Sequence, residues 1–419
     1  MPEPLAEPFP ASPDQPLVLC GARLPDGRTA DVTLRAGRVA DVAEAGAPAV
    51  PPAVPVPAAR RVDLAGYLLL PAPAEPHAHH DTALTDGAPR PALTGPHDPA
   101  GTRRRITEAA LIQLAHGATA QRSHIRCDRG LAALDAALAT ARALRGLAEL
   151  SFVATSGPGP LTGRAGAENR ARLREAARRG ARALGCCPDL DPDPDGCAEV
   201  LLGLAADQGL AADLHTAAAD PVRLARLAAA ASGLPPASPL LIGPAAGLAR
   251  VPRRAAGRAA ERLAAAGVGV VALPQGPCGL AGPAARGAAT PVRLLASAGV
   301  RVTAGAGALR DAANPVGRGD PLEAAYLLAA RGDRPPAEAY AAVSGRARRA
   351  LGLPEVRVAP GYPAELLAVR GESIASALSQ GVSRLVVHRG RIVARTSAVR
   401  EFAGTPGPGV PGVPRQATG

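Results

Sequence analysis

The chain of 419 residues is 47% hydrophobic and 20% charged, the balance of a globular protein with a large buried core. Its net charge is +11 at pH 7, and all 47 basic residues are arginine because the sequence contains no lysine. The arginines are scattered along predicted helix faces and only 2% of the residues are aromatic, which argues against specific nucleic-acid binding.

The lack of a recognisable signal peptide or membrane span, together with the cysteine usage, predicts a cytoplasmic protein. The first 16 residues are acidic and proline-rich, without the basic start and apolar core of a signal peptide. No stretch reaches the roughly 18 apolar residues that a membrane span needs. Six cysteines in such a chain predict reduced thiols, and Cys186, Cys187 and Cys197 lack the paired spacing of a zinc site. We therefore expect a cytoplasmic protein with no membrane partner.

Two short β-rich regions bracket a long alternating centre. Residues 17–70 show β-patterned runs separated by Gly and Asp turns, and the pattern resumes over 357–400, where the HRG motif at 388–390 predicts a tight hairpin turn. Together these two regions predict a small β-sandwich formed by both ends of the chain. Residues 1–16 and the Pro/Gly-rich residues 401–419 are predicted to be disordered.

The centre, residues 71–356, alternates short apolar runs with Ala/Leu/Arg-rich amphipathic segments, which is typical of repeated βα units. Helices are predicted, for example, over 107–116, 169–179, 199–208 and 291–298. Eight runs predict strands: LLLPAPAEPHAHH, ATAQRSHI, LSFVATS, ARALGCC, LAADLHT, PLLIGPA, VGVVALP and VRVTAGAG. The predicted fold class is α/β, a TIM-like (β/α)₈ barrel plus the small β-sandwich, with the site at the C-terminal ends of the barrel strands.

The strongest local signal is the motif EPHAH, which begins at Glu75 and ends the first predicted barrel strand. Alternate strand residues face the same side, so His77 and His79 can direct two imidazoles at one metal, and Glu75 can orient one of them. His80 faces the other way and is predicted to be structural. His215 ends the fifth strand and completes a zinc-type set of three histidines, unless it only caps its strand through local hydrogen bonds.

These motifs resemble those of the cytosine deaminases in the amidohydrolase superfamily. LLLPAPAEPHAHHDTALT is similar to the family's first strand, where Glu-Pro-His-x-His-x-Asp follows an apolar run, and HGATAQRSHIRCD resembles its second strand. ADLHT resembles the fifth strand, and TPVRLLASAGVRV resembles the last helix and the eighth strand. The resemblance is collinear over residues 17–400 and includes the VSGRARRALGL run, where the barrel returns to the β-sandwich.

The resemblance implies hydrolysis of non-peptide C–N bonds in cyclic amidines or pyrimidines, with one divalent metal, Zn or Fe. His77, His79 and His215 match the family's metal ligands, and His124 matches a histidine that supports those ligands. The carboxylated lysine of binuclear relatives is excluded, because the chain has no lysine.

Four other functional positions of the family carry residues without the expected chemistry. Ala218 stands where the resemblance places a proton-transferring Glu, and Pro244 stands where it places a His. Gly307 replaces a metal-binding Asp, and Gly157 replaces a Gln that reads the pyrimidine. Loss of one positioned acid or base typically lowers a rate about 10²–10⁴-fold.

Asp220 and Asp311 are the nearest acidic side chains that could replace the missing groups. Asp220 precedes Pro221 and is more typical of a helix N-cap, and Asp311 is equally suited to capping the segment that follows it. The leading hypothesis is an amidohydrolase-family protein with weak or lost deaminase activity toward a small heterocycle, that is, a pseudoenzyme. One alternative is an active hydrolase on another C–N substrate. The other is a non-catalytic ligand-binding protein or partner subunit, either a homo-oligomer or paired with an active paralogue.

Overall fold

Strands dominate both ends of the described chain, and strands alternate with helices between them. The computed structural model describes residues 15–46, 59–86, 98–235, 239–276, 278–279 and 287–399. The segments predicted to be disordered lie outside these residues, apart from the last two residues of the N-terminal one. None of the helices in the described part of the chain is long and apolar enough to cross a membrane.

The strands fall into two sheets of eight. In chain order they are β1 (Leu17–Arg23), β2 (Thr29–Arg35), β3 (Arg38–Glu44), β4 (Arg60–Asp63), β5 (Tyr67–Pro71), β6 (Ala74–Ala78), β7 (Ala120–Arg126), β8 (Glu149–Thr155), β9 (Ala183–Cys186), β10 (Ala211–Thr216), β11 (Leu240–Pro244), β12 (Gly269–Ala272), β13 (Arg301–Ala304), β14 (Leu366–Arg370), β15 (Arg384–His388) and β16 (Arg391–Thr396).

The strands β6 to β13 pair in sequence order, each parallel to the next, and form the barrel. A bridge between Ala78 and Gly307 brings its first and last strands together. All eight predicted barrel strands are confirmed. The run LLLPAPAEPHAHH, however, contains two strands, β5 in the other sheet and β6 in the barrel. Pro71 is the last residue of β5 and Pro73 lies between the two strands, and neither proline can donate a ladder hydrogen bond.

The helices cover the outside of the barrel strands. They are α1 (Pro99–Ala115), α2 (Ala132–Ala143), α3 (Ala167–Arg179), α4 (Pro194–Asp207), α5 (Pro221–Ala231), α6 (Arg253–Ala265), α7 (Val292–Ser297), α8 (Pro321–Ala330), α9 (Pro336–Val343), α10 (Gly345–Ala350) and α11 (Ile374–Gln380). The helices α1 and α4 begin before their predicted starts at residues 107 and 199, because Asp98 and Asp193 cap them ahead of a first-turn proline.

The second sheet is mixed and contains both ends of the described chain. Its strands follow the order β16–β15–β14–β5–β1–β2–β3, with β4 beside β1. The small β-sandwich predicted from the two chain ends is confirmed as a separate β-structure, and its strands are bonded as one mixed sheet. The predicted hairpin turn also forms, since β15 and β16 pair on either side of Arg389 and Gly390, both at positive φ.

The central strands of the mixed sheet are buried on both faces. Along β14, Leu367 and Val369 pack into the main core between sheet and barrel, whereas Leu366 and Ala368 pack into a separate core on the other face. Successive side chains of a strand point to opposite faces, so a strand covered on both sides must be apolar throughout. This requirement explains the unbroken apolar runs of β5 and β14.

One buried ion pair links the mixed sheet to the barrel. Arg384 of β15 donates to Asp320 Oδ1 at 2.8 Å and to Oδ2 at 2.7 Å, and Asp320 also caps α8. Burial raises the pKa of Asp320, but the Arg384 guanidinium outweighs that effect, so the pKa lies below its ordinary value. A bidentate pair of this kind fixes geometry as well as charge.

We expect Arg384→Met to lower the free energy of unfolding by about 3–5 kcal/mol, because it leaves the Asp320 charge buried without its partner. The measurement is urea denaturation at neutral pH. Since the folded pKa of Asp320 is lowered, this contribution is present above the ordinary carboxyl pKa and is lost as pH falls through the folded value. Arg28→Met, which breaks an exposed pair with Asp26, is the control and should leave stability unchanged. Equal stability of the two variants at neutral pH would contradict the prediction.

Candidate metal centre

Three imidazoles converge inside the barrel. His79 Nε2 lies 3.3 Å from His77 Nε2 and 3.2 Å from His215 Nε2, and all three side chains are buried. His77 is in β6, His79 follows it, and His215 is in β10, so the cluster lies at the C-terminal ends of the first and fifth barrel strands. The structure thus brings together the three histidines that the sequence predicted to share one site.

The three imidazoles are neutral. Burial, reinforced by the neighbouring His124, lowers the pKa of His77 to about 3. Burial also lowers the pKa values of His79 and His215 far below the ordinary range, again with a contribution from the surrounding imidazoles. Each ring therefore retains a nitrogen lone pair, which is the form that binds a metal.

Cys278 adds a fourth donor that the sequence did not indicate. Its Sγ lies 3.7 Å from His77 Nε2, and the donor atoms of Cys278 and the three histidines all lie within 4.8 Å of one another. Cys278 follows β12, so it too lies beyond the C-terminal end of a barrel strand. That placement was the only signal available in the sequence, because Cys278 has no neighbouring cysteine or histidine to form a motif.

His124 and Asp213 form a polar pair beside the cluster. His124 Nε2 lies 3.2 Å from Asp213 Oδ1, and the His124 ring centroid is 4.2 Å from that of His77. Both side chains are fully buried. Burial raises the pKa of Asp213, but His124 opposes this strongly enough to leave the pKa below its ordinary value. His124, which the resemblance implied as a supporting histidine, therefore lies beside His77, whereas Asp213 was not recognised from the sequence.

Glu75 acts on the backbone rather than on an imidazole. Its Oε1 accepts from the His77 N–H at 2.8 Å, and its Oε2 accepts from the Ala306 N–H at 2.7 Å. Burial raises the pKa of Glu75 to about 8, against the effect of these two hydrogen bonds. The sequence predicted that Glu75 orients a histidine ring. Its two oxygens instead hold the His77 backbone against the residues that follow β13.

His80 has a separate environment, as predicted. Its Nε2 lies 2.9 Å from Gln113 Oε1 in α1, and its N–H donates to Ser123 Oγ at 2.9 Å. His80 is therefore a packed structural residue on the other side of the strand end.

The four positions where the resemblance implied further functional groups lie in different local surroundings. Ala218 lies in the main hydrophobic core with Leu224 of α5. Pro244 ends β11 and has no titratable group. A Cβ on Gly307 would contact Leu273 Cδ1 at 3.4 Å, so an apolar side chain already borders that position.

The remaining position, Gly157, is bordered by an ion pair. A Cβ there would lie 3.1 Å from Asp128 Oδ1 and 3.2 Å from Arg126 Nε, and these two residues pair with each other at 2.8 Å. Each substituted strand end therefore has its own local packing.

Asp220 and Asp311, the two carboxylates considered as replacements for the missing groups, accept local hydrogen bonds. Asp220 Oδ1 caps α5 by accepting from the N–H groups of Val222 and Arg223. Asp311 Oδ1 accepts from two backbone N–H groups of the turn that follows it, and its Oδ2 accepts from Thr82 Oγ1 at 2.9 Å. Both carboxylates therefore cap the backbone that follows them, which the sequence left open as the alternative to a catalytic role.

The fold and the clustered histidines define a (β/α)₈-barrel protein with a buried group of donors that could hold a metal ion. A sequence model of the amidohydrolase family matches residues 161–394, more than half of the chain, and the chain belongs to this family. This match and the structural neighbours confirm the cytosine deaminase-like resemblance read from the sequence. A search of curated protein sequences found no match.

Solved structures of similar fold include enzymes named for C–N chemistry. N-isopropylammelide isopropylaminohydrolase from Burkholderia multivorans is 26% identical, with a TM-score of 0.76 over 91% of this chain and 99% of that one. A 5-methylcytosine deaminase from Klebsiella pneumoniae is 21% identical, with a TM-score of 0.78 over 92% of this chain and 100% of that one. An atrazine chlorohydrolase from Arthrobacter aurescens complexed with zinc is 17% identical, with a TM-score of 0.65 over 91% and 95%. The last two similarities show the fold alone.

We expect Gly305→Ala to lower the free energy of unfolding by about 1–3 kcal/mol, because its Cβ would lie 2.5 Å from Glu75 Oε1 and would force the carboxylate away from its backbone donors. Urea denaturation of the purified variant measures the effect. The matched control is Gly257→Ala in α6, whose added Cβ meets nothing within 4 Å and should stabilise the helix by about 0.5–1 kcal/mol. If Gly305→Ala were as stable as the wild type, the prediction that its Cβ displaces the Glu75 side chain would be wrong.

Proposed function

We propose that this amidohydrolase binds one divalent metal, Zn or Fe, through His77, His79 and His215, and that its deaminase activity is weak or lost. The metal fits the residues present. Lone pairs of neutral imidazoles facing each other at 3.2–3.3 Å repel unless a proton or a cation lies between them. Three histidines are also a common ligand set for zinc.

A bound divalent ion supplies Lewis-acid chemistry, polarising a ring C=N or carbonyl group and lowering the pKa of water. Deamination further needs a side chain that takes up a proton and one that delivers it to the leaving ammonia. The observation that carries the proposal is the apolar packing of Ala218 and the lack of any titratable group at Pro244 and Gly307. Asp220 and Asp311 do not replace those groups, since their oxygens hold backbone N–H groups.

The substrate class we propose is a small aminated nitrogen heterocycle. It is supported by the similarity to the 5-methylcytosine deaminase and the N-isopropylammelide isopropylaminohydrolase, whose chains this one matches over nearly their full lengths. In the absence of turnover, the same end of the barrel would serve to bind such a ligand, alone, in a homo-oligomer or beside an active paralogue.

We expect the protein to hold about one metal ion per chain and the His77→Ala/His79→Ala double variant to hold almost none, because both changes remove donors from the same cluster. Elemental analysis of the purified proteins measures the content. His80→Gln is the matched control, since His80 lies next in sequence but bonds to Gln113, and its metal content should equal that of the wild type. Retention of metal by the double variant would refute the ligand assignment.

We expect the metal-loaded protein to deaminate cytosine and 5-methylcytosine more slowly than an intact deaminase by at least about 10²–10⁴-fold, the effect of losing one positioned acid or base. Ammonia release measures the rate, with the Klebsiella 5-methylcytosine deaminase as the positive reference. Enzyme-like, metal-dependent turnover would overturn the proposal.

The competing function, hydrolysis of another C–N bond through an aspartate, has its own test. A screen of cyclic amides and aminated heterocycles is run with the wild type, Asp220→Asn and Asp311→Asn. Asparagine retains an oxygen for the backbone N–H bonds of either residue and removes only the acid–base group. We expect any turnover found to be unchanged in both variants, and its loss in either would favour the aspartate-dependent hydrolase.

A further inference from the structure

We propose that Cys278 is the fourth ligand of the metal held by His77, His79 and His215, so that the centre is a closed site of three histidines and one cysteine. This inference rests on the metal binding of the proposed function and goes beyond it, because the three-histidine set leaves one coordination position unassigned. The donor atom is Cys278 Sγ, buried at the end of a barrel strand.

The distances between the donors agree with the edges of a tetrahedral zinc site. Zinc binds imidazole nitrogen at about 2.0–2.1 Å and thiolate sulfur at about 2.3 Å, so tetrahedral geometry requires nitrogens about 3.3 Å apart and a nitrogen and sulfur about 3.6 Å apart. The two nitrogen–nitrogen distances are 3.3 and 3.2 Å, and the distance from His77 Nε2 to Cys278 Sγ is 3.7 Å. Three of the six donor–donor distances therefore match a four-coordinate site, and all four donor atoms lie within 4.8 Å of one another.

The chemistry of Cys278 suits the position. A cysteine binds a metal as the thiolate, so the S–H bond breaks, a sulfur–metal bond forms and the proton passes to solvent. The thiolate gives one negative charge to a ligand set that is otherwise neutral, and this partly compensates the divalent ion in a buried site. Soft sulfur together with imidazole nitrogen is a ligand set that zinc favours.

The neighbouring strand end has no donor to compete with this sulfur. Gly307 follows β13 and has no side chain, and Leu273 lies beside the space that a side chain would enter. A second group of donors, His77, His124 and Asp213, shares His77 with the first. A metal ion bound by His77, His124 and Asp213 would have no sulfur ligand. An experiment that detects sulfur therefore distinguishes it from an ion bound with Cys278.

Four protein donors complete a tetrahedral shell, as in structural zinc sites, whereas catalytic sites leave one position open. The proposed centre would therefore bind metal tightly without an open position for a reactant. A closed ligand shell would lower the deaminase activity independently of the missing acid–base groups.

The experiment uses the full chain, purified without oxygen, stripped with a chelator and reloaded with Zn²⁺ or Co²⁺. X-ray absorption of the zinc form should show one sulfur at about 2.3 Å beside the nitrogen ligands. The cobalt form should show a thiolate-to-cobalt charge-transfer band in the near ultraviolet. Cys278→Ser should lose both signals and bind metal at least about 10-fold more weakly, an effect that even a residue outside the ligand shell can reach.

Cys20→Ser is the matched control, because Cys20 lies in β1 of the mixed sheet, and it should retain both signals. The wild-type spectra test the proposal even if Cys278→Ser does not fold. A shell of nitrogen and oxygen alone in the wild type, or a sulfur signal that persists in Cys278→Ser, overturns the cysteine ligand and leaves the proposed function intact. Enzyme-like cytosine turnover would instead overturn the proposed function, whatever the ligand spectra show.

Discussion

The first and last strands of the barrel approach each other so closely that a side chain on Gly305 would collide with Glu75. The Glu75 carboxylate fills this space and accepts the N–H groups of His77 and Ala306, so it joins β6 to the residues that follow β13. Closure of the barrel therefore fixes the backbone of His77, and with it the strand end from which two of the three converging imidazoles project.

Exclusion of water is the second constraint on the site. Burial lowers the pKa values of His77, His79 and His215, which favours neutral rings that each have one nitrogen able to bind a metal. Burial raises the pKa of Asp213, but His124, together with His77 and Arg122, outweighs that effect and leaves the pKa below its ordinary value. The interior thus combines neutral donors, which suit a divalent ion, with one carboxylate that already has a histidine partner.

The histidine cluster is present on the family fold, whereas the residues at the positions where the resemblance implied further functional groups have local packing partners. Ala218 contributes to the core beside α5, the Arg126–Asp128 pair borders Gly157, and Leu273 borders Gly307. These substitutions lie at separate strand ends, each with its own neighbours. The fold does not require the acid–base groups, because the barrel core and the closing contact at Glu75 are formed without them.

The sequence by itself determined the order of the elements and three of the clustered side chains. Apolar runs of strand length are visible without tertiary information, and the alternation of side chains along a strand places His77 and His79 on one face. The sequence did not show that Pro71 and Pro73 divide one apolar run between two sheets. Only the tertiary structure decided which distant residues complete the site. Asp213 reaches His124 and Cys278 reaches His77 because barrel closure brings separate strands to one axis, and no local pattern in the sequence records that distance.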